Sequence, residues 1–272
     1  MRKFTHGGDA IDSLTDRFKL RPYRSHKVDP RATVKQAAHL PVIILPTGYN
    51  ALMSTRSADY REAIDHLPAG AILTIPEVTW EQYENLLEDL VERPGLRISY
   101  DEGRLEIMSP LPEHEEYKDF ILQALRTLCD ELGIELEPRG SATWKRKKID
   151  KGAEPDTCFY VANAARIIGK RKLDLESDPP PDIVVEIDTT NESLSKFSIY
   201  AALEIPEIWR YDGKRVQMYE LRGPTYVETS ASPSFPNLTC AMLANVLELS
   251  KTQGHTAALR TFRQEIRRKP EA

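Results

Sequence analysis

PDIVVEID, residues 181–188, is the stretch on which the reading of the fold turns. Its apolar run has the length of a strand covered on both faces, as in the sheets of α/β proteins. Side chains alternate along a strand, so Asp182, Val184, Glu186 and Asp188 share one face, and Ile183, Val185 and Ile187 share the other. Carboxylates in a covered sheet are costly unless they are paired or hold a metal. Glu186 and Asp188 are two residues apart, about 6.6 Å between Cα atoms, and can line one site; Asp182 lies about 13 Å from Glu186 and reads as the beginning of the strand.

One strand cannot surround a cation, and Mg²⁺ takes several oxygen ligands, so a second carboxylate from a neighbouring strand is the natural complement. Asp156 is the candidate. It sits in EPDTCFYV (154–161), whose later residues are strong strand formers, and the interval 162–181 is long enough to bring the chain back beside it.

Outward from these two segments the periodicity alternates between helix and strand. Downstream the sequence predicts a helix over ESLSKFSIYAALE (192–204), a strand over EIWRYD (207–212), a turn at Asp212-Gly213 and a strand over RVQMYELR (215–222). Two helices follow, over roughly 237–249 and 256–268. Upstream, TWEQYENLLEDLVERPG (79–95) has Thr79 as an N-cap and apolar residues at helical spacing, with Pro94-Gly95 as its stop. RISYDEGRLEIMSP (97–110) reads as two strands about an Asp-Glu-Gly turn, and EHEEYKDFILQALRTLCDELG (113–133) as a long amphipathic helix ending at Gly133. IELEP (134–138) and SATWKRKKI (141–149) read as strands. The expected organisation is an N-terminal accessory extension over 1–70, one α/β domain over 71–252 and a helical tail over 253–272.

The ordered series TWEQYENLLE, GRLEIMSPLPEHE, EPDTCFYV, PDIVVEID and SLSKFSIYAALEIPEIWRYDGKRVQMYEL resembles the Uma-type family of restriction-endonuclease-like proteins over roughly residues 74–250. Pro155-Asp156 followed thirty residues later by Glu186-Ile187-Asp188 is similar to the PD-(D/E)XK nuclease signature. The resemblance implies a restriction-endonuclease-like α/β core, a mixed central sheet flanked by helices. It implies a Mg²⁺- or Mn²⁺-dependent endonuclease acting on DNA, with Asp156 and Glu186 as metal ligands. Asp188 stands where the signature has lysine, and Lys196 of the following helix is the implied substitute. His114, at the start of the long helix, matches a recurrent polar position that touches phosphate or supports a carboxylate. Enzymes of this superfamily often act as homodimers; the 206–221 hairpin and the C-terminal helices are the candidate interfaces here.

Each of these residues has a plainer alternative. The alternative for Asp156 is a turn residue after proline, for Glu186 half of a buried ion pair, and for Asp188 a cap or a partner of Lys196. Lys196 reads as a lysine on a solvated helix face and His114 as a surface residue among glutamates. Lys145, Arg146, Lys147 and Lys148, with Trp144, suit a phosphate backbone or simply the wet end of a strand pair, and the arginine-rich 256–268 helix reads as solvent-facing. Three functional classes follow: a metal-dependent DNA endonuclease, a catalytically silent binding or assembly module on the same fold, and a different metal hydrolase.

Charge narrows the choice a little. The chain carries −5 overall, but residues 1–40 hold nine Lys/Arg against four Asp/Glu, which leaves −10 on residues 41–272. An acidic core speaks against a protein that coats nucleic acid through its net charge. No apolar stretch approaches the length of a membrane span, and the basic N-terminus has no apolar run behind it, so the expected location is cytoplasmic. Cys129, Cys158 and Cys240 are odd in number and widely spaced; they read as buried, reduced thiols.

Overall fold

The computed structural model describes residues 42–44, 63–90, 95–189 and 196–268. Most of the expected extension, residues 1–41 and 45–62, lies outside the described residues, as do Thr190–Ser195 at the predicted start of the helix that carries Lys196. Two six-stranded sheets organise the described chain. The first comprises β1 (Val42–Ile44), β2 (Ile72–Ile75), β3 (Arg97–Asp101), β4 (Arg104–Met108), β6 (Trp144–Arg146) and β7 (Lys151–Ala153), in the order β1-β2-β4-β3-β7-β6. The second comprises β5 (Glu137–Pro138), β8 (Thr157–Tyr160), β9 (Ile183–Ile187), β10 (Glu207–Tyr211), β11 (Val216–Arg222) and β12 (Thr225–Thr229), in the order β12-β11-β10-β9-β8-β5.

Both sheets are mixed: β1/β2 and β9/β10 run parallel and the other pairs antiparallel. The parallel β9–β10 pair needs a crossover, and α4 (Phe197–Ala202) lies within it. The α/β class and the helix-flanked mixed sheet are as the sequence implied. The division into two sheets was not foreseen.

The remaining helices follow local signals. In α1 (Trp80–Leu90) the caps are reciprocal: Gln82 N–H donates to Thr79 Oγ1 at 3.3 Å, and Thr79 N–H donates to Gln82 Oε1 at 2.8 Å. α2 (Pro112–Leu132) has proline in its first turn, and its end is set by Gly133, whose φ of 66° lets its N–H reach Cys129 O. α3 (Ala164–Ile167) is a single turn, and α5 (Cys240–Gln253) and α6 (His255–Arg267) pack on each other and on α2.

All five residues of β9 are buried, as its apolar run requires. Its odd face, Ile183, Val185 and Ile187, packs with Trp209 and Met218 against Phe120 of α2, Leu247 of α5 and Phe262 of α6. Each such fully buried large side chain contributes on the order of 2 kcal/mol. Its even face begins with Val184, among Cys158, Tyr160, Ile208 and the α4 residues Ile199 and Tyr200. Glu186 and Asp188 continue that second face, so the carboxylates lie under α4.

Several local expectations need correction. The strand expected over 141–149 covers only Trp144–Arg146; Lys147–Ile149 form a 3₁₀ turn that ends at Asp150 with φ of 55°. β2 and β12 carried no strand signal strong enough to be read. Cys240 is half-buried, not buried. Arg263 and Arg267 of α6 face out and pair with Glu131 of α2. Among the described residues no helix is long and apolar enough to cross a membrane.

Candidate active site

The site is created where the chain changes sheets. β7 belongs to the first sheet and β8 to the second, and Glu154-Pro155-Asp156 is the junction. Proline has no N–H to give to either ladder, and the flanking carboxylates take over as acceptors. Glu154 N–H donates to Ile98 O at 2.9 Å, and Ile98 N–H donates back to Glu154 Oε2 at 3.0 Å. On the other side of the proline, Ile187 N–H donates to Asp156 Oδ2 at 2.8 Å, in the place of a ladder carbonyl.

β8 and β9 pair antiparallel with Thr157 opposite Val185. One residue further along that register, Asp156 falls opposite Glu186, and opposed residues of an antiparallel pair project to the same face. Both are buried. The two carboxylates therefore meet on one face at the end of β9 that borders the first sheet.

Glu186 is gripped from α4. Lys196 Nζ donates to both its oxygens, at 3.1 and 2.9 Å, and to the Glu154 carbonyl at 3.3 Å; the Tyr200 hydroxyl donates to Oε1. Lys196 and Tyr200 are four residues apart, one helical turn, so both reach the same carboxylate. Burial pushes the Glu186 carboxyl up to about 7, and the facing Asp156 adds to the rise that Lys196 and Tyr200 oppose. For Lys196, burial works against the charged form, but Glu186 and Asp156 outweigh it and raise its pKa. Lys196 is buried and does not sit on a solvated helix face.

Asp156 is held from the first sheet and from α2. Arg97 Nε donates to Asp156 Oδ1 at 3.2 Å while its Nη2 donates to Glu115 at 3.0 Å. Burial pushes the Asp156 carboxyl up, but the facing His114, the Lys196 charge and the Ile187 N–H more than offset this and leave it below the ordinary carboxylate range. His114 is buried as well, contrary to its plainer reading as a surface residue. Its Nε2 lies 3.1 Å from Thr189 Oγ1, and its Nδ1 lies 3.8 Å from Asp156 Oδ2, beyond hydrogen-bond reach.

Asp188 has a partner that the sequence did not suggest. Arg210 Nε donates to Asp188 Oδ2 at 2.6 Å, and Arg210 is itself the register partner of Glu186 on β10. Asp182 stands apart, as its distance along the strand predicts: it accepts from Val161 N–H, Asn163 N–H and the Asn163 side chain, closing the loop after β8. In the basic run, Lys145 pairs with Glu84, Arg146 with Glu204 and Lys148 with Glu176.

Asp156 at the β7–β8 junction, Glu186 on β9, Asp188 just past it, Lys196 at the N-cap of α4 and His114 in the first turn of α2 thus come together. Sequence reasoning missed Arg97, Glu154, Tyr200 and Arg210. Tyr200 could have been found from its one-turn spacing to Lys196 and Glu154 from its place before the Pro-Asp pair; Arg97 and Arg210 carry no local signal.

A family described as "Uma2: Putative restriction endonuclease" matches residues 80–251. The chain belongs to the Uma2 family. Membership places the protein in a nuclease family, and the match spans α1 to α5, every element that lends a residue to the site. A crystal structure from Anabaena variabilis, described as "a putative nuclease belonging to DUF820", is 18% identical and covers 55% of this chain and 90% of its own, with a TM-score of 0.39. No curated protein matches the chain.

The donor set suits a divalent cation in kind. Asp156 and Glu186 offer hard oxygen ligands from opposed strand positions, and His114 Nδ1 is a buried polar atom without a hydrogen-bond partner beside them. Among the described residues no three His, Cys, Asp or Glu side chains form a metal-holding group, and all four oxygens of Asp156 and Glu186 accept protein hydrogen bonds. A cation would therefore bind by exchange with those donors.

Proposed function

We propose that this Uma2 protein is a Mg²⁺- or Mn²⁺-dependent endonuclease that hydrolyses phosphodiester bonds in DNA, on a core of the restriction-endonuclease type. The observation that carries the reading is the convergence of Asp156 and Glu186 from opposed positions on β8 and β9, with Lys196 brought onto Glu186 from the crossover helix. That is an expensive arrangement to bury for structure alone, since hydrophobic residues of similar volume would fill the same space at no electrostatic cost.

Asp156 and Glu186 would hold the cation, which supplies a Lewis acid at the scissile phosphate. The chain's own residues perform the remaining tasks. Lys196 Nζ keeps a positive charge in a buried place, where it can neutralise charge that grows on the phosphoryl oxygens. Tyr200 holds the Glu186 carboxylate by its Oε1, and Arg97 together with the Ile187 N–H holds both oxygens of Asp156. His114, on the first turn of α2, faces Asp156 and stands ready to support that carboxylate or to meet a phosphate oxygen. Asp188, neutralised by Arg210, is a shaping residue of the site in this reading and does not replace the signature lysine. A homodimer belongs to the same reading and is checked by sedimentation.

A second reading has its own observation. Each carboxylate of the cluster is already paired with a cation, which suits a catalytically silent binding or assembly module. Two assays separate the readings: nicking of supercoiled plasmid with Mg²⁺ or Mn²⁺, and calorimetric Mn²⁺ titration of wild type against Asp156→Ala. The endonuclease cuts, loses cutting in Glu186→Ala without loss of fold, and loses Mn²⁺ binding in Asp156→Ala. Equal cutting by Glu186→Ala removes the assignment; Mn²⁺ binding without any cutting leaves a different metal hydrolase.

A further inference from the structure

Strand register fixes the place where residues 1–41 join the fold. Val42, the first residue of β1, pairs with Ile72 of β2, Ile72 with Met108 of β4, and Met108 with Arg97 of β3. The four residues form one row across the first sheet, and the row ends at the arginine that reaches Asp156. β1 runs parallel to β2, whose first residue is Ile72, so the chain enters β1 from that same end of the sheet. It is also the end at which β4 passes through Ser109 into α2, whose first turn carries His114. With strands about 4.8 Å apart, three steps put the Val42 backbone about 14 Å from that of Arg97. β1 and β2 lie outside the family match, which begins at residue 80.

The segment that enters there carries the charge that the rest of the chain lacks. Residues 17–35, RFKLRPYRSHKVDPRATVK, hold seven Lys/Arg against a single carboxylate, Asp29, while residues 41–272 carry −10. A net-acidic body repels a polyanion at long range, and a dense basic segment reverses that locally. Lys35 precedes Val42 by seven residues, a reach of up to about 25 Å, which exceeds the distance from Val42 to Arg97. Resting on the endonuclease reading above, we propose that residues 17–35 are a basic arm that grips the phosphate backbone of DNA beside Asp156 and Glu186. The arm supplies the attraction and the body supplies the chemistry. Contacts to phosphate carry no sequence information, so the arm raises affinity for any duplex alike.

The test uses the full chain and a short DNA duplex in EDTA, so that binding is read without metal, by fluorescence anisotropy from about 50 to about 200 mM salt. The arm variant combines Arg17→Gln, Lys19→Gln, Arg21→Gln, Arg24→Gln and Lys27→Gln. At the low-salt end it binds at least about tenfold more weakly than wild type. Its slope of log affinity against log salt shrinks by at least about 2, because each phosphate contact contributes about 0.9. KM for plasmid nicking rises in parallel. Arg17→Lys, Arg21→Lys and Arg24→Lys together keep the charge and behave as wild type. A control that changes five exposed cations elsewhere to Gln, Arg166, Arg171, Lys172, Arg260 and Arg268, keeps most of the slope. Unchanged affinity and slope in the arm variant, an equal loss in the control, or weaker binding with an unchanged KM each overturns the arm; the endonuclease reading survives these results wherever wild type nicks plasmid. Salt-sensitive binding through residues 17–35 by a wild type that never nicks overturns the endonuclease reading and leaves a DNA-binding arm on a silent fold.

Discussion

Arg97 Nε and Asp156 Oδ1 lie 3.2 Å apart across the boundary between the two sheets, both side chains almost wholly buried. The contact makes the first sheet part of the candidate site: β3 positions a guanidinium against a carboxylate at the β8–β9 end of the second. Removing one partner of a buried pair strands the other charge without solvent. Arg97→Ala should therefore lower folding stability by about 3–5 kcal/mol, read from urea midpoints, and Arg97→Lys should recover part of the loss. A change below about 0.5 kcal/mol would mean that Asp156 finds other support.

Glu186 gives the protein a pH dependence of defined sign. Its carboxyl is raised from 4.5 to about 7 by burial first and by Asp156 second. Between those values the native state binds more protons than the unfolded chain, so this group's stabilising contribution is complete below about pH 4.5 and is lost as pH rises through 7. Asp156, whose carboxyl is held below its ordinary value, acts in the opposite sense and only at more acid pH. The stability of Glu186→Gln relative to wild type should therefore rise from pH 5 to pH 7, by at most about 1.4 kcal/mol per pH unit. Urea denaturation at the two pH values checks it, and a flat or falling difference refutes the shift.

Tyr200→Phe deletes one hydroxyl that donates to Glu186 Oε1 and leaves the packing under α4 in place. The Tyr200 hydrogen bond lowers the Glu186 pKa, so its loss should move the Glu186 titration further upward. Carboxyl-carbon NMR of labelled glutamate reads the shift directly. The stability cost should be about 1–2 kcal/mol. A downward movement would place the hydroxyl's proton elsewhere.

Gly152 precedes the sheet-crossing segment by two residues, and a Cβ there would stand 2.4 Å from the Tyr83 hydroxyl and 2.9 Å from Lys145 Cβ. Gly152→Ala should destabilise by about 1–3 kcal/mol through overpacking. The Tyr83 hydroxyl is buried and has no hydrogen-bond partner, so Tyr83→Phe alone should be neutral or stabilising and should rescue much of the Gly152→Ala loss. Additive effects of the two substitutions in a double-mutant cycle would show that the close approach to Tyr83 is not the cause.

The sequence by itself determined β9 and its two faces, because a period of two and an unbroken apolar run leave little freedom to a covered strand. It also determined that Asp156 and Glu186 are the carboxylates to watch, and α1, α2 and the β10–β11 hairpin, whose caps, turns and periodicities are local. It could not say which cation each acid would meet. Asp188 pairs with Arg210, twenty-two residues away across a parallel ladder, and Asp156 with Arg97, fifty-nine residues away on another sheet. Nor could it bury His114, since a histidine among three glutamates reads as wet until Thr189 and Asp156 are packed against it. Hydrophobic period is written in neighbouring residues, whereas charge pairing depends on distance in space. Only the tertiary structure decided how the acids of this site are balanced.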